Sequence, residues 1–313
     1  GWPMHGFRFS FWGVALVCGA AAMVAGCAAA PDKGAAADAP VAPTSACVSE
    51  SDVLQWGQAY VAKRPLPNLP VGLTAADAAC TRARFQKKLA ALHGPLAGYK
   101  VALTHPKMQQ SFGTQQPVWG GMYQLMLLPN QSTVEAAYGA RPVYEATVGV
   151  RVKDAGINQA TTPEEVLAHI DQIAPMIDLA DWLVQTPSKL TGNAIVALNA
   201  GTRLAILGDA LRVPADARQQ KKLVRELDSM SVRVIANRGR QLAQGKASDV
   251  PGHPLSSVVW LAGALRTQGQ ALQPGQWVSL GALSPMLRPQ KGQTISVVFP
   301  GLTGARPVSV TFK

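Results

Sequence analysis

The stretch Pro142-Val143-Tyr144-Glu145-Ala146-Thr147-Val148, running on to Val152, is dense in β-branched and aromatic residues and carries one carboxylate. Such a run reads as a β-strand. A carboxylate inside it is costly unless it is paired or bound to a cation. A second apolar run has the same feature. Ala174-Pro175-Met176-Ile177-Asp178-Leu179-Ala180-Asp181 places Asp178 within a strand-like segment from Ile173 to Leu183. Two acids in two apolar strands suggest a hard divalent ion, which takes one or two carboxylates plus water and substrate oxygens. An ordinary acid on a half-exposed strand is the plainer alternative for each taken alone.

The segments around these strands set the fold class. Val53 to Ala62 has helical spacing, and prolines 65, 67 and 70 interrupt it. Thr74 reads as the N-cap of a helix from Ala75 to His93, closed by Gly94-Pro95. Tyr99 to Leu103 is a short strand, and Gly113 to Gly121 reads as a Gly- and Gln-rich loop. Thr162-Pro163-Glu164-Glu165 opens a short helix. Val232 to Ala243 reads as a hairpin turning at Asn237-Arg238-Gly239. A helix spans Pro254 to Thr267, and strands follow at 277–280, 294–299 and 307–312. Helices first and strands later predict an α+β fold with a curved mixed sheet.

Composition narrows the function. The chain has 313 residues, 48% hydrophobic and 15% charged, with a net charge of +11. A sizeable core is available, and wholesale disorder is excluded. The densest basic stretch, Arg218, Lys221, Lys222 and Arg225, has no interleaved aromatics and reads as a solvated face, so no nucleic-acid partner is expected. There is no GxSxG elbow, no GxGxxG and no phosphate-binding loop motif.

The N-terminal region reads as an address. Arg8 precedes an apolar stretch from Phe9 to Gly26, and Val24-Ala25-Gly26-Cys27 resembles a bacterial lipobox. Residues 1–26 are then a signal peptide, Cys27 the lipidated residue, and 27–46 an Ala/Pro-rich tether. The expected location is periplasmic, with a lipid anchor in the membrane. Ala28 after Cys27 points to the outer membrane of a Gram-negative host. Residues 47–95 form an N-terminal helical segment and 96–313 the main domain. Cys47 and Cys80 are expected to pair in an oxidising compartment; two separate buried thiols are the alternative.

Several motifs occur together in order. They are Leu73-Thr74-Ala75-Ala76-Asp77-Ala78, Gly98-Tyr99-Lys100-Val101-Ala102-Leu103-Thr104, Gln110-Ser111-Phe112-Gly113 with Gln116-Pro117-Val118-Trp119-Gly120, and Glu145-Ala146-Thr147. Then follow Pro175 to Asp181, Trp260-Leu261-Ala262-Gly263-Ala264-Leu265, and Gln273 to Leu283. From about residue 50 onward this series resembles the 2-keto-4-pentenoate hydratase family of the fumarylacetoacetate hydrolase superfamily. The resemblance implies a β-roll core of the fumarylacetoacetate hydrolase type. It also implies Mg²⁺ or Mn²⁺ held by an E-x-E strand and a third acid, here Glu145, Thr147 and Asp178. The metal would chelate a small 2-keto acid and stabilise its enolate before water adds to the conjugated alkene.

By the same resemblance Lys100 handles substrate charge, and a loop acid, here Gln115, handles a proton. His105 is a candidate substitute for that loop acid. Trp119, Asn199 and Ala282 are the further candidate substrate contacts. The departures sit at chemical positions. Thr147 and Gln115 replace acids, Asp178 is one methylene shorter than the usual Glu, and Leu198-Asn199-Ala200-Gly201 reduces a D-N-A-S segment. Metal binding is expected to be weakened or lost. Two readings stand: a hydratase-like lyase, or a non-catalytic binding or envelope protein on the same fold. A homo-oligomer is compatible with either.

Overall fold

The computed structural model describes residues 47–313. The expected signal peptide, the lipobox with Cys27 and the expected tether at 27–46 all lie outside the described residues. Among the described residues no helix is long and apolar enough to cross a membrane.

Two helices come first. Helix α1 (Glu50–Val61) is capped by Ser49, whose side chain accepts from the Asp52 N–H. Helix α2 (Ala75–His93) has the bounds expected from sequence, because Thr74 and Asp77 cap each other's backbone N–H groups. Trp56 and Phe85 meet edge to face at 5.5 Å between the two helices. The Cys47–Cys80 disulfide joins the segment before α1 to α2. The bridged cysteines are 33 positions apart, so the chain-entropy relation assigns the bridge about 3–4 kcal/mol. Reduction is expected to lower the denaturation midpoint accordingly. Equal midpoints for oxidised and reduced protein would refute this.

The strands form two sheets. The chain runs through β1 (Leu96–Ala102), α3 (Pro106–Ser111), β2 (Val118–Tyr123), β3 (Leu127–Pro129), β4 (Ser132–Val134) and β5 (Pro142–Val152). It continues with α4 (Pro163–Ala168), β6 (Ile170–Asp181), α5 (Gly192–Ala197), β7 (Leu204–Leu207), β8 (Leu211–Arg212), α6 (Ala217–Ser229), β9 (Ser231–Ile235) and β10 (Gln241–Lys246). Last come α7 (Ser256–Arg266), β11 (Trp277–Ser279), β12 (Thr294–Val298) and β13 (Val308–Phe312). The larger sheet has the order β2-β1-β11-β5-β6-β7-β3, with β8 also on β6; the smaller is β10-β9-β12-β13-β4. This is the expected α+β class, with a curled mixed sheet. The main apolar core includes Val148, Val150, Ile173 and Ile177 of the larger sheet, Val234, Val297 and Phe312 of the smaller, and Leu261 of α7.

Strands β5 and β6 pair antiparallel along their length, from Pro142↔Asp181 to Val152↔Ile170. That pairing explains why both read as near-continuous apolar runs: each is central and covered on both faces. Gly98 is required at the start of β1. A Cβ there would run into the carbonyl oxygen of Trp277, its parallel partner on β11.

The Gly113–Gly121 loop is corrected by the structure. Val118–Tyr123 is strand β2, which pairs with β1 from Leu96↔Tyr123 to Ala102↔Val118. Long-range pairing overrides the local Gly signal. The basic stretch lies on α6, where Val224 and Leu227 are buried and Arg218, Lys221, Lys222 and Arg225 are exposed.

Candidate active site

Glu145 on β5 stands directly opposite Asp178 on β6. Lys100 on β1 reaches the same place, with its Nζ 2.7 Å from Asp178 Oδ2. Strands β1 and β6 are separated by β11 and β5. In a flat sheet three strand spacings would hold them roughly 14 Å apart, so this contact exists because the sheet curls. Both partners are almost wholly removed from solvent, with side chains 5% and 6% exposed. Lys100 and Glu145 line a cavity of about 60 Å³, together with Leu103, Thr104, His105, Trp182, Ala200 and Ala282.

The backbone around this cavity is strained. Leu103 and Ala200 line it with φ of 54° and 56°. Non-glycine residues rarely sit there, and such outliers cluster at functional sites.

Glu145 is pushed up to about 8, first by burial and then by the Asp178 charge, and Lys100 offsets part of this. At neutral pH it therefore holds a proton. The charges are then one ammonium, one carboxylate and one carboxylic acid. The folded state keeps a proton that the unfolded chain releases above about 4.5. Stability from this group is therefore lost as pH rises from about 4.5 to about 8. The expected result is a melting temperature that declines over this range in the wild type and declines less in Glu145→Gln. Parallel profiles for the two proteins would sink the assignment.

The other site residues expected from sequence divide sharply. His105 lies at the cavity, capping α3, with its Nδ1 accepting from the Lys107 N–H at 3.1 Å. Ala282 also lines it.

Thr147 does not line it. It is 1% exposed and its hydroxyl donates to the Gly281 carbonyl at 2.6 Å. Gly281 must be glycine, since its φ is +107° and a Cβ would lie 2.7 Å from the Thr104 side chain. Gln115 is exposed in the bend between α3 and β2, away from the cavity, because the chain turns inward only at Val118.

Trp119 is a core residue. It stands opposite Val101, while Lys100 stands opposite Gly120, so strand alternation points the indole to the other face. There it packs on Tyr99 at 5.6 Å and under the Arg82 guanidinium at 3.5 Å.

Asn199 is fully buried. Its amide accepts from Gly121 N–H at 2.7 Å and donates to Gly121 C=O at 2.9 Å. It imitates a neighbouring strand for β2, the edge of the sheet. Its successors Ala200 and Gly201 are the ones at the cavity.

A metal fit can be judged from these donors. Two carboxylates are adjacent, but the third ligand position is a neutral, packed threonine hydroxyl. The Lys100 ammonium already sits on Asp178. Among the described residues no group of three or more His, Cys, Asp or Glu side chains gathers. This donor set does not fit the hard-cation site implied by an E-x-E strand and a third acid.

The sequence reading also missed a buried anchor at the end of β6. Asp181 is fully buried and accepts from the N–H groups of Ala140, Arg141 and Leu183 at 3.0, 2.8 and 2.9 Å. It also accepts from Arg203 at 3.2 Å. Arg203 in turn donates to the Tyr60 carbonyl at 2.9 Å and lies 3.7 Å over the Tyr60 ring. This network secures α1 against the strand that carries Asp178. Trp182, at the cavity, follows immediately. An acid closing an apolar strand was the available signal.

The fold and the acid–lysine cluster define an α+β protein with a buried ion pair and a neighbouring acid beside a small cavity of a curled sheet. No family model matches the chain. It is 28% identical over 218 residues to a 2-keto-4-pentenoate hydratase of Paraburkholderia xenovorans (strain LB400), covering 67% of this chain and 75% of that protein. It is 24% identical over 230 residues to a 4-oxalocrotonate decarboxylase of Pseudomonas putida, covering 74% and 83%. Among solved structures it is similar to 4-oxalocrotonate decarboxylase from Pseudomonas putida G7 complexed with magnesium and adipate. That likeness has a TM-score of 0.73 at 23% identity and covers 87% of this chain and 100% of that one. The chain has that enzyme's fold.

Proposed function

We propose that the chain is a lyase of the 2-keto-4-pentenoate hydratase family, adding water to a small 2-keto-4-enoate formed from its 2-hydroxy-dienoate. The observation that carries this is the Lys100–Asp178–Glu145 cluster at the cavity. Lys100 supplies the positive charge that orients the carboxylate and keto oxygens of the substrate. Glu145, protonated at neutral pH, delivers its proton to the terminal dienol carbon and then, as a carboxylate, takes the enol O–H proton, while Asp178 holds Lys100 in place. With that proton on the terminal carbon the remaining alkene is conjugated with the 2-keto group and open to water at C4, the proton that the water sheds ending on C3. His105, whose Nδ1 accepts the Lys107 N–H, keeps its own proton on Nε2 when neutral and so hydrogen-bonds the water rather than deprotonating it. The hydratase and decarboxylase similarities support the substrate class.

The related decarboxylase structure holds magnesium. The Mg²⁺ or Mn²⁺ site of Glu145, Thr147 and Asp178 is lost in this reading, because the donors do not fit, and no step is routed through a metal. Ultraviolet detection of dienol loss tests the proposal, with 2-hydroxypenta-2,4-dienoate as substrate. Turnover should persist in EDTA and fall at least ~100-fold in Glu145→Gln. Retained keto-acid binding without any turnover would instead establish the binding-protein reading.

The proposed setting is the cell envelope, with lipid on Cys27 and residues 28–46 as tether. The Phe9–Cys27 pattern and a disulfide suited to an oxidising compartment support it. Cys27→Ser should move the protein out of the membrane fraction; unchanged fractionation would refute the anchor.

A further inference from the structure

Helices α1 and α2 lie side by side and run in the same direction. The Cys47–Cys80 bridge, the Trp56–Phe85 contact and the Tyr60–His93 contact follow one another along both. Their inner faces hold Trp56, Tyr60, Phe85 and Leu89. On the outer side a shallow groove of about 250 Å³ runs between them, lined by Val53, Leu54, Arg84, Lys87, Lys88 and Ala91. Leu54 is 51% exposed, and Val61, two turns further along α1, is 59% exposed, so one helix face carries both. The stem of Lys88 crosses α1 at Gly57, where a Cβ would run into it. Arg84, Lys87 and Lys88 take part in no ion pair among the described residues, and Glu50 is the one acid among them that lines the groove. The basic stretch of α6 differs. Glu226 and Asp228 lie beside its cations, and no large apolar side chain on it is exposed.

We propose that this α1–α2 face rests on a bilayer containing anionic phospholipid, with Leu54 and Val61 entering the headgroup layer and Arg84, Lys87 and Lys88 meeting the phosphates. The inference rests on the reading of Cys27 as a lipidated anchor. Two observations select a membrane as the occupant. The charge is complementary: three cations against one acid flank an apolar strip, the combination that holds a helix at an anionic interface. The chain also arrives at this face. Cys27 is 20 positions before Cys47, a reach of at most about 70 Å. The Cys47–Cys80 bridge fixes the point of arrival at the start of the helix pair, where Arg84 donates to the Val48 carbonyl. A lipid on Cys27 therefore confines this face near a bilayer, and a weak contact becomes populated because it is intramolecular. Each cation near an anionic surface adds roughly fivefold to that contact.

Lysine acetylation by an N-hydroxysuccinimide ester, read residue by residue by mass spectrometry, tests this. The full chain is purified in detergent and transferred to vesicles of phosphatidylcholine alone or with phosphatidylglycerol. Flotation with the phosphatidylcholine vesicles reports the anchor, which needs no charge. With phosphatidylglycerol present, Lys87 and Lys88 should react at least ~10-fold more slowly than on phosphatidylcholine, and Lys221 and Lys222 of α6 should stay within about twofold. High salt should abolish the difference. Leu54→Ser combined with Lys87→Gln should return Lys88 to within about twofold of its phosphatidylcholine rate; both side chains are exposed, so the core stays intact. Equal rates at Lys87 and Lys88 on both vesicles, with flotation retained, would overturn the membrane face and leave the anchor standing. Protection already present in detergent would put a second copy of the chain on the face and overturn it too. Slowing of Lys221 and Lys222 as strong as that of Lys87 and Lys88 would do the same, since any cationic surface would then serve. No flotation with phosphatidylcholine would overturn the anchor reading, and this inference with it.

Discussion

Lys100→Met is expected to cost about 3–5 kcal/mol of unfolding free energy at neutral pH, the range for removing one partner of a buried ion pair. The substitution keeps most of the side-chain volume and removes the charge. Asp178, 6% exposed, is then left beside Glu145 with no cation. One further result follows if the ammonium is what makes the buried Asp178 carboxylate tolerable. The double variant Lys100→Met with Asp178→Leu should recover most of the loss, because no buried charge remains unpaired. Denaturant titrations of the single and double variants measure this. A loss below about 1 kcal/mol, the scale of exposed ion pairs, would mean that Lys100 and Asp178 are solvated rather than buried. The charge-based account of the site would then fail.

Asp181→Ala should be more damaging still, at more than about 4 kcal/mol. One carboxylate satisfies three backbone N–H groups and a buried guanidinium. Its removal orphans all of them at once, and an unsatisfied buried donor costs about 1–3 kcal/mol. Arg203→Met is expected to cost less, because the three N–H groups still hold Asp181. Thermal melts of the two variants check this order. If Arg203→Met proved the more destabilising, the anchor would lie in the Arg203–Tyr60 contact rather than in the carboxylate.

Local patterns were readable without tertiary information. The α2 bounds followed from Thr74, Asp77 and Gly94-Pro95, because a cap is a short-range hydrogen-bond motif. The acids Glu145 and Asp178 stood out because carboxylates are rare in apolar strands. The order of elements, helices first and strands later, carries the α+β class. The reading failed where a side chain's role depends on a partner far along the chain. Asn199 is a candidate substrate contact by resemblance, yet its amide serves Gly121, 78 positions away. Trp119 is a candidate substrate contact from its motif, yet the β1–β2 register turns it to the other face. Val118–Gly121 was taken for a loop because glycine signals turns locally, whereas here Gly120 lies against the Asn199 backbone.

The sequence by itself therefore determined the elements, the class of fold and the presence of two costly carboxylates with a lysine, all of which depend on residue type and short-range spacing. Only the tertiary structure decided that these three groups meet. Lys100 is 78 residues from Asp178 in the chain and three strand spacings away in the sheet, and curling of the sheet brings the ammonium to 2.7 Å from the carboxylate. The same folding commits the Thr147 hydroxyl to Gly281, 134 positions away. Strand periodicity gave Thr147 the same face as Glu145, but a hydrogen-bond partner that distant is chosen by packing, which no local pattern records.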